Sequence, residues 1–154
     1  RIPHSLPQFR KTAALFLVSG QFEAHFYLAK NGKVEDQRAI RHIPREEIIG
    51  KNWGFRGNSE RITPFGAVSS ASTRKQNLRK RFWMEVGSVV NDMVRYDAIQ
   101  HIYLFAPAPV LMQLMEHLSP SARALVHLNI KGEYIKRDPI DIVRMAKERT
   151  PITE

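Results

Sequence analysis

Two stretches of the 154-residue chain are apolar almost without interruption: Ala13-Ala14-Leu15-Phe16-Leu17-Val18, closed by Ser19-Gly20, and residues 101–106 (HIYLFA). A strand covered on both faces reads as a continuous apolar run, whereas a half-exposed strand alternates. Both runs are therefore expected at the centre of a sheet, side by side. Between them, residues 23–29 (EAHFYLA) lead into Asn31-Gly32, a dipeptide whose tolerance of positive φ makes tight hairpins. Residues 34–43 should pair back across it, giving three antiparallel strands.

Residues 73–96 change to helical spacing, with Leu78, Phe82, Val86, Val89, Val90, Met93 and Val94 on one stripe and Ser72 as the expected N-cap. Pro109 opens a second helix carrying Leu111, Met112, Leu114, Met115 and Leu118, and Ser119-Pro120 reads as a cap with a first-turn proline for a short helical turn. Residues 125–130 (LVHLNI) form a fifth strand. Asp138-Pro139, with Asp141 three residues after the cap, starts a last helix with Ile140, Val143 and Met145 inward. The order β-β-β-α-β-α-β-α predicts an α/β fold with a five-stranded mixed sheet of the ribonuclease-H-like kind. Residues 1–10 carry two prolines and no periodicity, and are expected to be an N-terminal arm to a single domain over 11–150.

Residues 50–72 break the pattern. Four glycines and a segment of about twenty residues exceed the usual ~12–15 residues of a structureless connection, which marks a functional or disordered loop. Charge points to the same region. Residues 1–81 hold 16 Lys and Arg against 6 Asp and Glu, an excess of +10, while residues 82–154 hold 8 against 9, or −1. A surplus so localised suits a polyanion, with a solubilising surface as the plain alternative. Arg74, Lys75, Arg79, Lys80 and Arg81 place five cations in eight residues, with no acid between Glu60 and Glu85. At a helix N-terminus they would oppose the macrodipole unless an anion is bound. Trp53, Phe55 and Phe65, interleaved with Lys51, Arg56 and Arg61, are suited to stacking on bases while cations hold the backbone, or to pinning the loop to the core. These eleven residues are the candidate nucleic-acid-binding set.

Catalytic chemistry is harder to seat. The chain has no cysteine, which removes disulfides, thiolate nucleophiles and cysteine-held zinc. Neither central strand carries an acid, so the paired metal ions of a ribonuclease-H-like nuclease lack ligands. His4, His25, His42, His101, His117 and His127 show no H-x-x-x-H spacing, and each reads as a surface or internally satisfied residue. No Gly-x-Ser-x-Gly elbow nominates a serine nucleophile. No cofactor or metal is expected. No run approaches the ~18–20 apolar residues of a membrane-spanning helix, and no segment resembles a signal peptide, so a cytoplasmic protein without membrane partners is expected.

The stretch Tyr103-Leu104-Phe105-Ala106-Pro107, with Leu111, Leu114, His117-Leu118-Ser119 and Ala122-Arg123-Ala124-Leu125-Val126, resembles the bacterial host-attachment proteins, themselves similar to the middle domain of archaeal and eukaryotic class-1 peptide-release factors. Residues 14–30, an apolar strand followed by SGQFEAHFYLAK, resemble that family's first hairpin. In the release factors a Gly-Gly-Gln tripeptide before the long helix promotes hydrolysis of peptidyl-tRNA. The matching stretch here is residues 63–72 (TPFGAVSSAS), and Gly-Gly-Gln occurs nowhere in the chain. The resemblance therefore implies a translation-associated module that contacts ribosomal RNA, tRNA or the ribosome without that hydrolysis. Two rivals remain: a hydrolase acting on an RNA ester or a nucleotide, with the loop as catalytic element, and a surface protein for host attachment. Purified protein should show no metal-dependent cleavage of RNA or DNA in magnesium or manganese; turnover abolished by replacing a single acidic residue would refute this.

Overall fold

The computed structural model describes residues 1–42 and 64–150, with side chains described for 1–42 and 76–150. Strands β1 (Ala13–Ser19), β2 (Glu23–Lys30) and β3 (Lys33–Arg41) precede helix α1 (Pro64–Tyr96); β4 (Ile99–Ala106), α2 (Ala108–His117), α3 (Pro120–Ala124), β5 (Val126–Lys131) and α4 (Pro139–Arg149) complete the chain. The strand order is β3-β2-β1-β4-β5. β1 pairs antiparallel with β2 and parallel with β4, and β4 runs parallel to β5. The expected mixed sheet is present, with the two apolar runs adjacent inside it.

All seven residues of β1 are buried, and alternation divides them between two cores. Leu15 and Leu17 join Phe26, Ile102 and Leu104 beneath Phe82, Val86 and Val90 of α1 and Leu111 and Leu114 of α2. Phe16 and Val18 join Tyr103, Phe105 and Ile130 on the opposite face, under Ile142, Val143 and Ala146 of α4. The ring of Phe16 stacks on Tyr103 at 4.7 Å, and Phe9 meets its edge at 5.7 Å.

The local signals act as their chemistry dictates. Asn31 and Gly32 both take positive φ, 52° and 76°, as a type I′ turn requires. Ser119 Oγ accepts from the Ala122 N–H at 3.2 Å, and an Asp138 carboxylate oxygen accepts from the Ile140 N–H at 2.8 Å. Asp141 engages Arg144 at 2.9 Å. In α4 the inward residues are Ile142, Val143 and Ala146, with Ile140 and Met145 only half-buried.

Two expectations change. Helix α1 begins at Pro64 rather than after a Ser72 cap, so residues 64–72 of the expected loop are helical. Proline is compatible with a first helical turn, and one glycine costs an extended helix only about 1 kcal/mol, so the loop-like composition of this stretch does not stop it. The rest of that loop lies outside the described residues. Residues 1–10, expected as an arm, form no helix or strand yet lie on the sheet with Ile2, Leu6 and Phe9 buried. They are fastened to the hairpin turn: Ile2 N–H donates to Gly32 O at 2.9 Å, Gly32 N–H to Gln8 O at 2.6 Å and Asn31 N–H to Phe9 O at 2.9 Å. The Gln8 amide donates in turn to the carbonyls of Pro3 and Leu6.

Phe82 is fully buried, and a Cβ at Gly87 would lie 2.6 Å from the His117 carbonyl oxygen, where α1 crosses the end of α2. Phe82→Ala should cost about 3–5 kcal/mol and Gly87→Ala about 1–3 kcal/mol, the usual penalties for an emptied and an overfilled core. Thermal or urea melting measures both. Near-neutral results would mean that α1 packs differently.

Candidate nucleic-acid interface

Of the eleven candidate residues, Lys51, Trp53, Phe55, Arg56 and Arg61 lie outside the described residues. Phe65, Arg74 and Lys75 fall within α1. Because α1 starts at Pro64, the five-cation cluster begins ten residues in, beyond the first turn over which the macrodipole acts. Opposition to the dipole is therefore no reason for an anion to bind there.

The three cations with described side chains divide by helical phase. Arg79 precedes Phe82 by three residues and Val86 by seven, which sets it on the sheet-facing side of α1. It is half-buried, its Nη2 donates to Gln21 Oε1 at 3.3 Å, and its guanidinium lies 5.5 Å from the Phe22 ring. Its Nε is sealed from solvent without an acceptor. Arg79 thus fastens the β1–β2 turn to the helix. Lys80 and Arg81 are exposed and make no ion pair with any described residue. Helical phase is the signal that distinguishes Arg79 from Lys80 and Arg81, and a count of charges does not contain it.

The histidines also separate. His25 sits between Glu23 at 2.9 Å and Asp36 at 3.3 Å, His42 meets Glu85 at 2.7 Å, and His117 Nδ1 faces Gln113 O at 2.8 Å. His101 is the exception to the expected satisfaction. Its ring centroid lies 4.3 Å from that of His127, and its buried Nδ1 has no hydrogen-bond partner. Burial, and secondarily the His127 charge, holds the His101 pKa below its ordinary value. Burial pushes the Tyr103 phenol up to about 12. Among the described residues no three His, Asp or Glu side chains are grouped to hold a metal, and no helix is long and apolar enough to cross a membrane.

Residues 28–145 match the family model described as "Protein required for attachment to host cells". The chain belongs to this host-attachment family. None of the curated proteins matches it. Among solved structures, an archaeal protein is similar with a TM-score of 0.49 and 11% identity, over 88% of this chain and 36% of that one. The archaeal translation termination factor aRF1 is similar with a TM-score of 0.47 and 11% identity, over 88% of this chain and 37% of that one. The ethanolamine utilization protein EutJ from Carboxydothermus hydrogenoformans gives 0.41 and 12%, over 86% and 48%. The host-attachment chain thus spans less than half the length of each. These are likenesses of architecture, and the α/β assignment rests on the strand order itself.

The His101 shift has a definite sign. Between its lowered pKa and the ordinary 6.5, the unfolded chain binds a proton at this site that the folded chain resists. Stability contributed here is complete above 6.5 and declines as pH falls through that window. His101→Asn should flatten the fall in melting temperature between pH 7.5 and 5; an unchanged profile would mean that this ring does not carry it.

Proposed function

We propose that this member of the host-attachment family is a non-catalytic binding module whose basic N-terminal half grips single-stranded regions of RNA, in ribosomal RNA or tRNA, in the cytoplasm. The observation that carries this reading is the confinement of positive charge, +10 over residues 1–81 against −1 over residues 82–154. Neutralising phosphates releases condensed counterions, so a face with surplus cations gains most from a polyanion. Lys80 and Arg81, exposed and unpaired among the described residues, are available for that contact, whereas Arg79 is committed to Gln21 and Phe22. The aromatic residues Trp53, Phe55 and Phe65 would stack on unpaired bases. The chain lacks both the Gly-Gly-Gln tripeptide and carboxylates on its central strands, which favours binding over hydrolysis.

A second reading follows from the family description, in which the same basic face serves attachment to a host cell. Adhesion of cells lacking the protein, compared with sedimentation of the protein with ribosomal particles, separates the two.

The RNA reading is tested with an oligouridine titrated at several salt concentrations. Replacing Arg74, Lys80 and Arg81 together by alanine should flatten the dependence of log affinity on log salt by about 2, at about 0.7 for each phosphate no longer neutralised. Trp53→Ala should instead cost roughly 1–3 kcal/mol and leave the slope nearly intact. If neither changes binding while circular dichroism shows an unaltered fold, the basic half is a solvated surface and the reading is wrong.

A further inference from the structure

His101 and His127 come from neighbouring parallel strands, brought together by an irregularity in their pairing. Ile102 is opposite Val126 while Tyr103 is opposite Leu128, so His127 is the extra residue between two registers. A bulge re-aims the side chain it carries. Here it leaves the His127 ring 4.3 Å from that of His101, tilted by 36°. Neither imidazole hydrogen-bonds to any described residue, and His101 Nδ1 is shut off from water as well. A buried nitrogen without a partner normally costs stability, so a ligand that engages the pair would relieve it.

We propose that His101 and His127 form a two-imidazole site for a borderline divalent cation, with copper(II) preferred over zinc. The spacing selects the geometry. A metal–nitrogen bond of about 2.0–2.1 Å, with the ring centre about 1.2 Å behind the nitrogen, puts each centroid ~3.2 Å from the ion. Two such ligands at right angles have centroids ~4.5 Å apart, whereas a tetrahedral pair has them ~5.2 Å apart. The observed 4.3 Å corresponds to adjacent positions of a square-planar or octahedral ion. That geometry suits copper(II) or nickel(II), and copper stands highest in the general order of affinities.

The surroundings agree with neutral nitrogen ligands. Burial and the neighbouring His127 both disfavour a proton on His101, so that ring meets a cation as an uncharged imidazole. The Tyr103 ring, 6.1 Å from His127, keeps its phenol proton and supplies no anionic oxygen. Water would complete the coordination on the exposed His127 side. Residue spacing along the chain carries no hint of this site, because its two members lie on different strands.

The test uses the full, untagged chain stripped of metal, titrated with copper(II) chloride and separately with zinc chloride. One equivalent of copper should bind and raise the melting temperature. Its electron paramagnetic resonance spectrum should be axial, with nitrogen couplings from two imidazoles, and zinc should bind more weakly. His127→Asn, a change at an exposed position, should lower copper affinity by more than about tenfold and remove one set of nitrogen couplings. His101→Asn should do the same, with circular dichroism confirming the fold. His4→Asn, which removes an exposed imidazole elsewhere, should have no effect. Copper binding that survives His127→Asn, that disappears in His4→Asn, or that never occurs in the parent chain overturns the proposal.

Discussion

The structure depends on burying one strand from both sides. β1 has no polar face to offer: Leu15 and Leu17 need a cover on one side, and Phe16 and Val18 need one on the other. A two-stranded hairpin cannot supply this, so the sheet must be sandwiched between layers. Helices α1 and α2 form one layer, while α4 and residues 1–9 form the other. β4 lies beside β1 for the same reason, because its Leu104 and Phe105 point into the two different cores.

Once both faces are closed, polar chemistry is pushed to the periphery. The outer strand β3 is exposed along most of its length, the cations Lys80 and Arg81 lie on the outer side of α1, and the His101–His127 pair occurs where β5 loses register with β4. The centre of this sheet carries no acid, and so offers no place for hard cations. Recognition by charge at the surface is the chemistry that remains open to such a body.

Most of the fold was legible because its signals are local. Continuous apolar runs named β1 and β4, Asn31-Gly32 named the hairpin, and Ser119-Pro120 and Asp138-Pro139 named two helix starts by their side-chain caps. The beginning of α1 was not legible: Gly66 and its neighbouring serines resemble a loop, and propensity is too weak to decide the matter. Nor was the burial of residues 1–9, whose order comes from backbone bonds to a turn distant in sequence. The candidate interface was read by counting charges, which locates a half of the chain but not a face. Arg79 illustrates the limit, since its neighbours Lys80 and Arg81 are exposed while it is held against Phe22. The histidine pair depends on strand register, which residue spacing alone does not encode.

The cover over Phe16 and Val18 is assembled from segments more than a hundred residues apart. Residues 1–9 lie beside α4, and Lys147 Nζ reaches back to donate to Ser5 O at 2.7 Å. During synthesis the first of these segments emerges long before the second. The α1 and α2 layer can therefore close while the opposite side of β1 still faces solvent, and the last helix to leave the ribosome finishes the burial. The aromatic side of the sheet is the late-folding side of this molecule, and the interval before α4 arrives is when the chain is most exposed to misassociation.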